Sequence, residues 1–279
     1  MKRLAPTRAV FLVLVLFSCA KPLFAGPPFQ TDDPDPVEFR HYEFYIFGGD
    51  DGTPVENDPS GPAAEFNWGA IPNLQLHVIV PLGAIIPSNN PAYLPSGGGA
   101  RAYGLTDTEL GVKYRFVKET KYLPMIGTFT MFEMPTGSYS EGLGVGKVWY
   151  KVPIWMQKDW GHWTTYGGGG YEFVPQAQYN NFDFEGWMLQ RDVAKKWTLG
   201  AEIFHHGPEG IATAQTHAST MIDGGGYYYF RNPGFQLLFA YGHSVAGQTE
   251  NYAYVGFYWT WGSEPGHGLN GFFANHFPH

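Results

Sequence analysis

Polar and apolar residues change places at every step from Thr106 to Phe116, which read TDTELGVKYRF. Thr106, Thr108, Leu110, Val112, Tyr114 and Phe116 form one set, and Asp107, Glu109, Gly111, Lys113 and Arg115 form the other. A strand sends successive side chains to opposite faces, so this segment carries one apolar face and one charged face. A soluble sandwich turns such an apolar face into its core. A membrane barrel turns it outward to lipid and lines its interior with the charged face.

The same two-residue period recurs. Between Lys147 and Lys158, the residues Val148, Tyr150, Val152, Ile154 and Met156 oppose Lys147, Lys151 and Gln157. From Trp197 onward, Trp197, Leu199, Ala201 and Ile203 oppose Thr198, Gly200 and Glu202, and a last segment gathers Ala253, Val255, Phe257, Trp259 and Trp261 on one side. Twelve segments predict strands, near 37–47, 63–71, 74–86, 106–117, 125–134, 147–158, 163–173, 184–193, 197–206, 221–230, 235–243 and 251–261. Most approach the ~9–11 residues that a membrane strand requires. Segments 125–134 and 163–173 alternate weakly, as expected of strands whose inner face is lined by Gly and Thr.

The connections alternate too. Short links at 72–73, 118–124, 159–162, 194–196 and 231–234 separate long Gly- and Pro-rich stretches at 48–62, 87–105, 135–146, 174–183, 207–220 and 244–250. Outer-membrane barrels join their strands by short periplasmic turns and longer outer loops in this rhythm, which a sandwich or propeller has no reason to produce. Aromatics gather at the short-turn end: Trp160 and Trp163 flank one turn, Tyr122 sits in another and Trp197 follows a third. Amphipathic rings favour that headgroup level.

The beginning of the chain fits export. Lys2, Arg3 and Arg8 precede an apolar run from Ala9 to Phe17, and Leu23-Phe24-Ala25 offers a cleavage site before Gly26. That run falls short of the ~20 residues of a spanning helix. Leu16-Phe17-Ser18-Cys19 loosely resembles a lipobox, so lipidation at Cys19 is the alternative exit. Losing the leader removes Lys2, Arg3, Arg8 and Lys21, which leaves 13 basic against 25 acidic residues, a net charge of −12. Such a chain has no electrostatic case for nucleic acid. With its single cysteine gone it also has no disulfide framework. Aromatics at 18% and 37 glycines suit a barrel whose apolar residues occupy alternate positions.

These readings give an all-β chain: a single transmembrane antiparallel β-barrel of about twelve strands over 37–261. A signal peptide (1–25) and a plug-like or periplasmic segment (26–36) would precede it, and a polar tail (262–279) would follow. Asp32, Asp33 and Asp35, set among prolines, would either reach into the lumen as a partial plug or, as the plainer reading, form a solvated linker.

Several motifs carry a family resemblance. They are GPPFQTDDP from Gly26, GLTDTELGVKY from Gly104, EMPTG from Glu133, TTYGGGGY from Thr164 and GWMLQR from Gly186. In this order they resemble the bacterial outer-membrane barrel family named for the MetA pathway of phenol degradation, over about Gly26 to Trp261. The resemblance implies an outer-membrane transporter passing small solutes, including aromatic or hydrophobic compounds, and brings no catalytic residues with it. Barrels of this type usually stop at an aromatic-rich last strand read by the barrel assembly machinery. Here the chain runs on from Trp261 to His279.

In a barrel, Asp107, Glu109, Lys113, Arg115, Lys147, Lys151 and Glu202 would point inward and form a mixed-charge solute path. The bland alternative is that they pair across strands inside a narrow lumen. Barrels of ~8 strands are packed shut and those of ~16–18 hold a water channel, so about twelve leaves pore and plugged interior open. Glu202, His205 and His206 suggest a metal site, but His205 faces away and Glu202 lies roughly 13 Å from His206 at ~3.3 Å per residue. His243 and Ser244 are adjacent and so point apart, where a hydrolytic triad needs convergence. No metal, cofactor or enzyme activity is therefore expected, and the expected partners are outer-membrane lipid, a small-molecule solute and the assembly machinery. The competing readings are a closed-lumen outer-membrane barrel with hydrolase or ligand-binding activity, and a soluble periplasmic all-β binding protein.

Overall fold

A backbone crossing hydrocarbon must satisfy every N–H and C=O internally, which for strands requires a sheet without edges. The computed structural model, which describes residues 27–88, 101–212, 217–232 and 234–262, meets that requirement. Its strands are β1 (His41–Gly52), β2 (Glu56–Ile71), β3 (Leu74–Pro87), β4 (Ala102–Leu105), β5 (Thr108–Val117), β6 (Met125–Met134), β7 (Trp149–Trp160), β8 (Trp163–Phe173), β9 (Phe182–Ala194), β10 (Trp197–His206), β11 (Ser219–Tyr229), β12 (Phe235–Gly247) and β13 (Asn251–Gly262). Each pairs antiparallel with its sequence neighbour, and β3 pairs with both β4 and β5, which together form one stave. The ring closes where β1 pairs β13 from His41↔Gly262 to Gly52↔Asn251. The result is a closed twelve-stave barrel. The expected leader, the lipidation alternative at Cys19 and the tail beyond Gly262 lie outside the described residues.

Burial shows which way the strands face. On β5, Glu109, Gly111 and Lys113 are buried while Leu110, Tyr114 and Phe116 are exposed. On β9, Phe184, Gly186, Met188 and Gln190 alternate with exposed Glu185, Trp187, Leu189 and Arg191. On β5 the apolar side chains face out and the charges face in, the inverse of a soluble core. Strand β9 keeps the alternation but mixes both kinds, with Phe184 and Met188 inside and Glu185 and Arg191 outside. At the short-turn end the outward rings stack in a band: Phe230 on Phe235 at 4.6 Å, Phe235 on Trp259 at 4.8 Å, and Tyr42 on Trp261 at 5.9 Å.

Three local expectations change. The stretch 48–62 is not a long loop: β1 and β2 continue their ladder through Asp51↔Asp58 and Gly52↔Asn57 and turn over Thr53, whose amide and hydroxyl both bond the Glu56 carbonyl. Backbone pairing overrides the weak strand propensity of Gly, Asp and Pro there. The first strand starts at His41, after a turn in which the Arg40 amide bonds the Gly69 carbonyl. In β6 it is Thr128 and Thr130 that lie between the buried positions, and the inner face carries Met125, Gly127, Phe129 and Met131. Phe129 and Met131 join Trp155, Phe184 and Phe204 in an interior apolar cluster, which is why β6 alternates poorly. In β8 the buried positions do include Thr164, beside Tyr166 and Glu172.

Leu189 lies half-way along β9 on the exposed face. Replacing it by lysine should cost about 2–4 kcal/mol in equilibrium unfolding from liposomes, the cost of a cation at the bilayer midplane. A cost under about 1 kcal/mol would mean that this face does not meet hydrocarbon.

Candidate functional site

The inner wall is held by one continuous polar network. Tyr258 Oη donates to Glu43 at 2.7 Å and Tyr45 Oη donates to the same carboxylate at 3.2 Å. Asn67 Nδ2 bonds Glu65 at 2.8 Å, and its Oδ1 meets His77 Nδ1 at 2.6 Å. His77 Nε2 lies 2.7 Å from Glu109, and Lys151 approaches the other Glu109 oxygen at 3.7 Å. Asn67 Nδ2 also reaches Glu43 at 3.4 Å, so the contacts link residues of β13, β1, β2, β3, β5 and β7. The rest of the wall is a tyrosine-rich half, which shares Tyr45 and Tyr258 with the network and in which they form a buried cluster with Tyr166, Met188, Tyr227 and Leu238.

Residues 27–40 run between these halves, so they are not the solvated linker of the plainer reading. Phe29 inserts into the tyrosine cluster, and Thr31 and Asp33 have no exposed surface. Three wall groups hold the segment. Both Glu202 carboxylate oxygens accept backbone amides, from Gln30 at 2.7 Å and Thr31 at 2.9 Å. Lys113 Nζ donates to Asp32 and Asp33, each at 3.0 Å, and sits 4.6 Å from the Phe129 ring centre. Arg115 pairs with Asp35 and also donates to Asn73 at 3.0 Å. Higher up, Tyr252 Oη donates to the Pro28 carbonyl at 2.8 Å; lower down, Gln75 accepts the Val37 amide at 2.9 Å. The segment thus climbs from the short-turn end, at Gly69, to the level of Tyr252 near the long-loop end.

Wall glycines make room for it. An added Cβ at Gly186 would meet Thr31 Oγ1 at 1.9 Å, and one at Gly127 would meet the Pro34 ring at 3.0 Å. Burial pushes the Asp33 carboxyl well above the ordinary carboxylate range, and Lys113 pulls it back in part. Burial raises Asp35 as well, against the pull of Arg115. Hydrogen bonds to charged partners contribute roughly 1.5–3 kcal/mol each, so these contacts place the segment firmly.

The long loops interlock above. Asp107, in the break between β4 and β5, accepts the amides of Gly137 and Val145 at 3.0 and 2.9 Å and folds 135–148 over the mouth. Gln176 bonds Val145, Tyr179 bridges Ile211, and the Gln248 amide bonds Ala218, which links the neighbouring loops in turn.

The seven sequence-selected residues therefore occupy distinct places. Glu109, Lys113, Arg115, Lys151 and Glu202 lie on the inner face, where each bonds or pairs with the wall or the segment. Asp107 serves the loop rather than a strand. Lys147 is exposed in the loop before β7, two residues short of the strand assigned to it. Glu65, Asn67 and His77 escaped selection, although Glu65 and Asn67 alternate with Phe66 and Trp68 and the two-residue period could have found them. The enzyme-like candidates diverge. Glu202 holds the segment, His205 meets Thr220 at 2.8 Å on the outer face, and His206 meets Glu250 at 2.9 Å inside. His243 bonds Asn251 while Ser244 accepts the Glu250 amide. Among the described residues no cluster of three metal-ligating side chains occurs.

The fold is similar to that of solved outer-membrane proteins. The COG4313 outer membrane channel from Pseudomonas putida F1 aligns with a TM-score of 0.67 and 14% identity, over 82% of this chain and 98% of that one. The NanC porin aligns at 0.53 and 8% identity, over 77% and 98%. The translocator domain of the autotransporter NalP from Neisseria meningitidis aligns at 0.52 and 12% identity, over 78% and 88%. At these identities the likeness is one of fold. No family model matches the chain, and no curated protein matches it either.

Because Gly186 leaves the space that Thr31 fills, Gly186→Val should loosen the segment without touching its charges. A Thr31→Cys reporter should resist a water-soluble maleimide in the parent barrel. In the Gly186→Val background it should react at least about tenfold faster, a loss of ~1.4 kcal/mol in docking. Equal rates would mean that the contact does not hold the segment.

Proposed function

We propose that this protein is an outer-membrane channel for small solutes, closed at rest by residues 27–40 and opened when that segment leaves the lumen. One observation carries this reading: the segment is held to the wall by side-chain contacts at Glu202, Lys113 and Arg115, all of which can be broken without disturbing a single inter-strand hydrogen bond. Apolar groups of the same volume could fill a permanent plug as well, since replacing a buried ion pair by them is often neutral or stabilising. Glu109, Lys113, Arg115, Lys151 and Glu202 then line the solute path, and the tyrosine cluster offers an aromatic wall beside them. Asp107 and Lys147 act at its mouth. That pairing of charge and aromatic rings agrees with the family resemblance, which assigns small aromatic or hydrophobic solutes to barrels of this kind. The signal peptide, the plug-like 26–36 segment and the polar 262–279 tail complete this reading as the parts outside the barrel wall.

Planar-bilayer recording tests the proposal. The unaltered protein should conduct rarely, while Lys113→Gln combined with Glu202→Gln should raise the open probability at least about tenfold, since each loses a charge-assisted contact of roughly 1.5–3 kcal/mol. A correctly folded double variant that neither conducts nor passes small solutes in liposome swelling would refute the channel.

A further inference from the structure

The cations that hold the segment have an unusual pattern of partners. Lys151 faces a wall carboxylate, Glu109, and Lys158 pairs with Glu119 of the β5–β6 turn. Lys113 differs: among the described residues both carboxylates in ion-pair reach of it, Asp32 and Asp33, belong to the segment. Its register partners on the wall are Gln75 and Phe129, neither of them charged. Arg115 likewise takes its carboxylate, Asp35, from the segment and only a neutral acceptor, Asn73, from the wall. The nearest wall carboxylate on the same strand, Glu109, is already engaged by His77 and Lys151. With the segment displaced, neither cation would keep an ion-pair contact among the described residues, and Glu43 would act on Lys113 only through space.

From this geometry we infer a carboxylate-binding site at Lys113 and Arg115, for which the segment's aspartates are a built-in stand-in. The inference rests on the reading of the interior as a solute path that the segment closes. Lys113 and Arg115 are two residues apart on one face of β5, which sets their anchor points about 7 Å apart. The Phe129 ring lies beside Lys113, with His77 edge-on to it at 5.0 Å. Two cations at that spacing next to an aromatic face fit a small aromatic dicarboxylate, one carboxylate on each cation and the ring against Phe129. The guanidinium gives its carboxylate a planar fork, whereas the ammonium acts as a point charge. A monocarboxylate would use one cation, and a neutral phenol neither. The solute would enter by competing with Asp32, Asp33 and Asp35, so binding and opening would be one event.

The test uses the full chain carrying Asp32→Asn, Asp33→Asn and Asp35→Asn together, purified in detergent, with its folded state checked by heat-dependent gel mobility. Calorimetric titration with terephthalate, benzoate and phenol should show affinity falling in that order. Adding Lys113→Gln or Arg115→Gln should weaken terephthalate roughly ten- to hundredfold, the worth of one hydrogen-bonded charge, and leave phenol unchanged. Terephthalate that binds no tighter than phenol, or that ignores both substitutions, overturns the site. Bilayer recording on the same preparations keeps the two readings apart. A conducting triple variant that is indifferent to terephthalate removes the carboxylate site alone. A silent one that still binds terephthalate through Lys113 removes the channel and leaves the site.

Discussion

The pairing of β1 with β13 is the constraint on which everything else rests. Twelve register pairs, from His41↔Gly262 to Gly52↔Asn251, join the two ends of the sheet. Without them two strands would present unpaired backbone groups to hydrocarbon, at several kcal/mol for each. Closure fixes the inside and the outside, and a two-residue period then commits every side chain to one of them. The exterior becomes a lipid-compatible surface of Leu, Val, Ile and aromatic rings. The interior becomes a compartment in which polar groups must satisfy one another.

That interior obligation explains its organisation. A carboxylate in a low-dielectric space needs donors, and Glu43, Glu65 and Glu109 find them in Tyr45 and Asn67 two residues along their own strands and in Tyr258 and His77 from neighbouring staves. Lys113, Arg115 and Glu202 find theirs in residues 30–35. The wall and the segment are therefore complementary halves of one electrostatic arrangement. Each half alone would leave charges unpaired.

Local pattern made the wall legible and left the interior largely unreadable. The alternation of Glu109–Lys113 against Leu110–Tyr114 gives strand, face and direction, because period two is a property of the backbone. The segment at 27–40 shows no period, and its partners lie about eighty residues away in the case of Lys113. Nothing local links Asp33 to that lysine. The β1–β2 hairpin was hidden by the same logic, since Asp51, Pro59 and Ser60 read as loop residues and only the partner strand makes them ladder. Thr128 and Thr130 misled for a third reason: a hydroxyl can face outward when a neighbouring backbone accepts its proton, as the Pro153 carbonyl does for Thr128 at 2.6 Å.

The seam also orders events in time. A chain cannot pass sideways through a finished wall, and residues 27–40 lead directly into the strand that seals it. They must lie within the curved sheet before β1 zips to β13, or else be drawn afterwards through a mouth already roofed by interlocked loops. The first route needs only that the sheet close around a strand leader lying against Lys113 and Glu202. On that route the segment serves first as a mandrel for assembly and only later as a stopper. Its charges would then act on how quickly barrels are completed as well as on what passes through them.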